Sequence, residues 1–255
     1  MDIKPPYGYQ EIVPLTRSHR VRLPLDRTLP TAFQKVSAVP LSFTEFASAA
    51  CDYPIAFITG DGGKSFVAMA VLGIENQQNL FVGRDSTWDS SVYLPAYVRR
   101  YPFCMSRVSV NGAEQAERIA CVEKSAIDNA GEALFDAKGE PLPLWTERRK
   151  LLFEYEADLA RTDEMTRALG ALNLLEPFTM QAVPKQGTPL ALTGLHRVSE
   201  QKLHDLPAEK LKELAQSGRL ARVYAHLISL HNFARLLDRR ARMLAASSAP
   251  ARSTH

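Results

Sequence analysis

Cysteine is scarce in this 255-residue chain: Cys51, Cys104 and Cys121 are odd in number, widely spaced and without a CxxC pair. That pattern argues against a disulfide framework and a structural zinc site. Buried reduced thiols are expected, with Cys51 and Cys104 among apolar neighbours, and a catalytic thiol is the lesser alternative. Long hydrophobic runs are missing as well. The most apolar stretch, Phe66 to Ile74, covers about half of the ~20 residues a membrane-spanning helix needs, so no transmembrane segment is expected. The start, Met1-Asp2-Ile3-Lys4-Pro5-Pro6, puts no apolar run behind a basic end, and the expectation is a cytoplasmic chain without a secretory signal. Charge of one sign is lacking too, since 31 Lys+Arg against 28 Asp+Glu leaves only +3. HExxH, GxSxG, GxGxxG and Walker-type phosphate-loop patterns are all absent, so no catalytic residue, metal or cofactor is expected.

What is present is ordinary globular material, 45% hydrophobic and 23% charged. Residues 1–35, broken by five prolines, read as an extended arm with edge strands around Glu11–Val13 and Val21–Leu25. Residues 36–143 read as an α+β sheet region. Within it, Leu41-Ser42-Phe43-Thr44-Glu45-Phe46 is a capping box that opens a helix ending before Tyr53-Pro54. Strands are expected at Ile55–Thr59, Phe66–Ile74, Asn79–Val82, Phe103–Val110 and Arg118–Glu123, with turns at Asp61-Gly62-Gly63 and Asn111-Gly112. Leu134-Phe135 should tuck under a surface loop.

Residues 144–244 read as mainly helical and packed on the sheet as one domain. A helix capped by Thr146 is expected to break near Arg161-Thr162-Asp163. Pro177, Pro184 and Pro189 mark a loop, and Ala191–Val198 a lone strand placed to rejoin the sheet. A helix opened by Asp205-Leu206-Pro207 closes at Ser217-Gly218. A last helix, Leu220 to about Leu244, is apolar enough that its first half should be covered on several sides. The tail 245–255 is expected to be disordered. The fold class is therefore α+β, a mainly antiparallel sheet in the N-terminal half packed against a helical C-terminal half.

The densest chemical constellation is the run Tyr93 to Phe103, with Tyr97, Arg99, Arg100 and Tyr101 among its members. Guanidinium forks bind carboxylate or phosphate and stack on rings, so this run reads as a recognition surface with both arginines facing outward. The competing reading, the commoner arrangement because aromatic burial dominates core energetics, fills the core with its aromatics and pairs its arginines with nearby acids. His226 and Ser229 share a helix face and could form a nucleophile–base pair, although hydrogen bonds to neighbouring backbone are the commoner use of such groups. Arg219, Arg222, Arg235, Arg239, Arg240 and Arg242 outnumber Asp238 near the C-terminus. They read as a cationic helix end on its own dipole rather than a strong nucleic-acid signal.

Taken together, Val39-Pro40-Leu41 with Glu45-Phe46, Tyr53-Pro54-Ile55, Asn79-Leu80-Phe81-Val82, Trp88, Leu94 to Phe103, Leu174-Leu175-Glu176-Pro177 and Ala225 to Leu230 resemble the bacterial SapC family, over about Val39 to Leu237. The resemblance implies a link to surface-layer proteins and to outer-membrane receptor systems, and it carries over no catalytic residue set. The same label is used for a peptide-transporter permease, which conflicts with the lack of any membrane-length segment. The expected function is a binding or accessory protein with a protein or peptide partner. Its candidate ligand-binding residues are Arg99, Arg100, Tyr97, Tyr101, Trp88 and His226. The alternatives are an enzyme acting on peptides or amino acids, with Arg99 or Arg100 holding a carboxylate and His226 as base, and a structural surface-layer protein.

Overall fold

The computed structural model describes residues 3–110, 113–182 and 189–248. Its elements in chain order are β1 (Ile12–Pro14), β2 (Arg20–Val21), β3 (Ala38–Pro40), α1 (Phe46–Ala50), β4 (Ile55–Ile58), β5 (Val67–Val71), α2 (Ala96–Arg99), β6 (Phe103–Val110), β7 (Ala113–Glu123) and β8 (Glu132–Ala133). These are followed by α3 (Pro143–Ala171), β9 (Leu175–Ala182), β10 (Leu190–Val198), α4 (Glu200–His204), α5 (Ala208–Gln216), α6 (Arg219–Ser229) and α7 (Asn232–Ser248). The strands form a five-stranded antiparallel sheet in the order β3-β5-β4-β10-β9, a three-stranded sheet β1-β7-β6 and a two-stranded β2-β8 pair. The α+β class holds. The long helix α3 touches both β5 and β6 and so bridges the two larger sheets, while α6 lies on β4, β10 and α1.

The capping box forms as expected: Glu45 accepts from the Ser42 amide and hydroxyl, opening a 3-10 turn at Phe43–Glu45 that runs into α1. The same buried carboxylate also accepts from the Ala96 amide and the Tyr93 hydroxyl, which pins the segment leading to α2. Between β4 and β5, Gly62 and Gly63 take positive φ. Thr59 and Asp61 accept from the amides of Gly63, Lys64 and Ser65, and the bonds from Ser65 hold the Asp61 carboxyl at about 2.

Several expectations are corrected. Asn79–Val82 is not a strand, because Asn79 spends its side chain on local backbone, donating to the Phe33 carbonyl and accepting from the Phe81 amide. Helix α3 starts at Pro143, whose missing N–H costs nothing at the first helical position, so Thr146 is internal and bonds back to the Leu142 carbonyl. The helix runs unbroken through 161–163, where the Thr162 hydroxyl is satisfied by the Asp158 carbonyl one turn back. Pro177 sits inside β9, not in a loop, and can do so because β9 is an edge strand. The strand read at Ala191–Val198 does rejoin the main sheet, as β10 between β4 and β9.

The C-terminal helix is two helices, divided after Ser229. That hydroxyl accepts from the Ile55 amide, and the Asn232 amide donates to the Ala50 and Tyr53 carbonyls, anchoring the corner. One face of α6 is open, with Tyr224 and Ile228 exposed. Its arginines and those of α7 meet acids distant in sequence, Arg219 with Glu164, Arg239 with Asp89 and Arg240 with Glu75, rather than only a helix dipole. Cys51 is exposed, whereas Cys104 and Cys121 are buried opposite each other across β6 and β7 as free thiols. Burial pushes these two up to about 12 and about 11. Ala245–Ser248 continue α7, and residues 249–255 of the expected disordered tail, the Asn111-Gly112 turn and Pro184 lie outside the described residues.

Glu45 ties two segments, 42–45 and 93–96, through four donors. Glu45→Ala should lower stability by about 3–5 kcal/mol in urea denaturation, since it strands buried donors. A loss within the range of ordinary surface substitutions would refute this role.

Candidate functional site

The site grows from one helical turn. Pro95 precedes α2, and the Ala96 amide is held by Glu45, so Arg99 and Arg100 leave the chain about 100° apart. The expectation that both face outward is therefore corrected for one of them. Arg99 is exposed, with its guanidinium donating to the Tyr93 hydroxyl at 3.2 Å, whereas Arg100 points inward and is only 5% exposed.

The Arg100 guanidinium carbon lies 4.3 Å from the ring centre of Tyr97, 5.1 Å from that of Tyr155 and 5.8 Å from that of Tyr9. Ring faces offset part of the cost of taking a cation out of water, but the N–H···π contacts they accept are far weaker than a bond to an oxygen. The nearest carboxylate is that of Glu156 at 3.8 Å, beyond hydrogen-bond length, and it is bound to Arg118. Arg100 Nε is buried and has no partner, and neither has the Tyr155 hydroxyl, on a residue 2% exposed. The other hydroxyls of the cage are taken, that of Tyr97 by the Tyr7 carbonyl at 2.6 Å and that of Tyr9 by the Phe103 carbonyl at 2.8 Å. Burial raises the Tyr155 hydroxyl far above its ordinary range, with partial opposition from Arg100, so it stays protonated as a donor.

Both residues that carry the orphaned donors line a cavity of about 370 Å³. Its lining joins Tyr97, Tyr155 and Arg100 with the apolar Pro5, Pro6, Pro40, Met105 and Leu159, the hydroxyl-bearing Ser106, and the charged Lys4, Arg107, Arg118 and Glu156. Such an arrangement can receive an anionic oxygen: two donors are already dehydrated, and positive charge exceeds negative around them.

Of the residues singled out from sequence, the structure brings Arg100 and Tyr97 into this cavity. Arg99, Tyr101, Trp88 and His226 do not line it. Tyr101 packs on Tyr9 and Phe33, and burial pushes its hydroxyl up to about 12. Trp88 is fully buried, donates to the Tyr53 hydroxyl at 3.1 Å and stacks on Phe81 beside a separate groove of about 680 Å³ between residues 78–90 and α7. There Arg239 is already paired with Asp89 at 2.8 Å and lies over Phe81.

His226 is sealed in the core. Its Nε2 accepts from the Val198 amide at 3.1 Å, which assigns the proton to Nδ1, 2.8 Å from the Ile55 carbonyl. Ser229 donates to the His226 carbonyl, so the two side chains form no pair. Tyr155, Glu156, Tyr9 and Arg118 went unnoticed in the sequence, Tyr155 because its helical spacing marks it only as core. Among the described residues, no group of three or more His, Cys, Asp or Glu is placed to hold a metal ion, and no helix is long and apolar enough to cross a membrane.

Comparison with known proteins adds a family. The SapC family model matches residues 20–236, and the chain belongs to that family. No curated protein and no solved structure matches it. The matched span begins earlier than Val39 and contains Arg100, Tyr97, Tyr155, Glu156 and Arg118, while Lys4, Pro5, Pro6 and Tyr9 precede it.

Burial lowers His226 to about 4, with the Ile55 bond opposing in part. The unfolded chain then binds more protons than the folded one between that value and the usual His range near 6.5, so the stability contributed by neutral His226 is complete above this window and falls as pH drops through it. Urea denaturation at a series of pH values should show a loss of a few kcal/mol from this group between about pH 6.5 and 4. That slope should flatten in His226→Gln, and an identical pH profile in wild type and variant would contradict the assignment.

Proposed function

We propose that this SapC-family chain is a binding or accessory protein that captures an anionic group of its partner in the Arg100 cavity. The observation that carries the reading is the pair of buried, unpartnered donors, Arg100 Nε and the Tyr155 hydroxyl, on two residues that line one cavity. A guanidinium held dry and short of acceptors binds an incoming oxygen more strongly than a solvated one, because the dehydration has been met by folding. The enzyme alternative lacks support from His226, whose ring nitrogens are both engaged by backbone.

A cytoplasmic setting belongs to the proposal and is supported by the free thiols of Cys104 and Cys121, which face each other across two strands. The tie to surface-layer or outer-membrane receptor systems rests on the family resemblance, and a protein or peptide carrying the anionic group is the expected partner.

The test is calorimetric titration of the purified chain with acetate, inorganic phosphate and a short acidic peptide. At least one should bind, and Arg100→Gln, confirmed as folded by circular dichroism, should bind it roughly thirtyfold more weakly or worse. If the glutamine variant fails to fold, Tyr155→Phe replaces it, since loss of an unpartnered hydroxyl should leave stability nearly unchanged. Equal affinity in the variant, or no binding of any probe by the wild type, would overturn the reading.

A further inference from the structure

We infer that the group received in the Arg100 cavity is the carboxylate of a monoanion attached to an apolar body. The inference rests on the anion-receptor reading above and adds the ligand's charge, its number of oxygens and the nature of the rest of the molecule.

Charge comes first. Glu156 is spent on its ion pair with the exposed Arg118, which leaves the buried Arg100 as a single uncompensated positive charge beside the orphaned donors. Lys4 and Arg107 are exposed and therefore screened. One charge matches a carboxylate, whereas a phosphate dianion would leave an excess negative charge facing Glu156.

The donor count agrees. Among the described residues that line the cavity, Arg100 and Tyr155 carry the two buried donors without a partner, Arg100 Nε and the Tyr155 hydroxyl, and two donors serve the two oxygens of a carboxylate. The remaining oxygens of a phosphate would be placed against tyrosine ring faces, which repel an anion as they attract a cation.

The wall decides the rest of the ligand. Pro5, Pro6, Pro40, Met105 and Leu159 line the same cavity, so the body of the ligand gains by being apolar. A volume of about 370 Å³ lies toward the lower end of the roughly 300–1,000 Å³ usual for small-molecule pockets, enough for a short chain or one ring and too little for a large lipid. The same chemistry is offered by a free apolar acid and by the C-terminus of a peptide ending in an apolar residue.

The experiment is calorimetric titration of the full chain with octanoate, phenylacetate, acetate, inorganic phosphate, and a tetrapeptide ending in leucine in its free-acid and amidated forms. Octanoate, phenylacetate or the free-acid peptide should bind at least roughly tenfold more tightly than acetate, because acetate has no body to bury. Tyr155→Phe should weaken that ligand roughly tenfold or more while leaving the melting temperature nearly unchanged, because it removes one donor to a charged acceptor. Preference for octanoate or for the free-acid peptide assigns the source of the carboxylate.

Tighter binding of inorganic phosphate than of every carboxylate would overturn this inference and leave the receptor reading standing, as would acetate binding as well as octanoate, phenylacetate and the free-acid peptide. An amidated peptide equal to its free acid, or apolar acids that bind Tyr155→Phe and Arg100→Gln as tightly as the wild type, would overturn it by showing that this cavity does not read the carboxylate. Binding of no anion at all would remove both.

Discussion

A guanidinium withdrawn from water among three tyrosine rings is the constraint to which much of this molecule conforms. Tyr9 brings the N-terminal arm to it, Tyr97 the short helix α2, and Tyr155 the long helix α3, while Glu156 links it to Arg118 on β7. Desolvating such a cation is expensive, and ring faces recover only part of that cost. The four segments must therefore close around Arg100 together, and their agreement positions the mouth of the cavity.

Elsewhere the fold satisfies its buried polar groups closely. Glu45 accepts from four donors, Glu123 accepts from the amides of Gln10 and Glu11, His226 uses both nitrogens, and Asn232 reaches two carbonyls. Against that background the unpartnered Arg100 Nε and Tyr155 hydroxyl stand apart. A third such atom, His196 Nδ1, belongs to a half-buried ring on Phe66 and lines none of the cavities described above. Two exceptions meeting in one cavity are the physical content of the functional reading.

Much of the framework was legible from local chemistry. Ser42 and Glu45 announced their capping box, Gly62 and Gly63 their turn, and the β-branched runs the strands that became β4, β5 and β6. What misled was tertiary context: Pro177 lies in a strand because that strand is an edge, and α3 passes Thr162 unbroken because its hydroxyl bonds one turn back. The site was half legible. Arg100 and Tyr97 could be singled out, but whether Arg99 or Arg100 turns inward depends on the phase of a four-residue helix, and the burial of the Tyr155 ring depends on neighbours such as Tyr97 and Arg100, more than fifty residues away in the chain.

The most direct measurement is the arginine side-chain nitrogen–proton spectrum of the labelled protein, with the Arg100 Nε–H signal assigned by its loss in Arg100→Lys. The account predicts a signal protected from water exchange in the free protein that moves on titration with a monocarboxylate, together with little change in the Nε–H signals of Arg99 and Arg239. An Arg100 signal that exchanges as fast as that of an exposed arginine, or one that stays unmoved while the carboxylate binds, would contradict it.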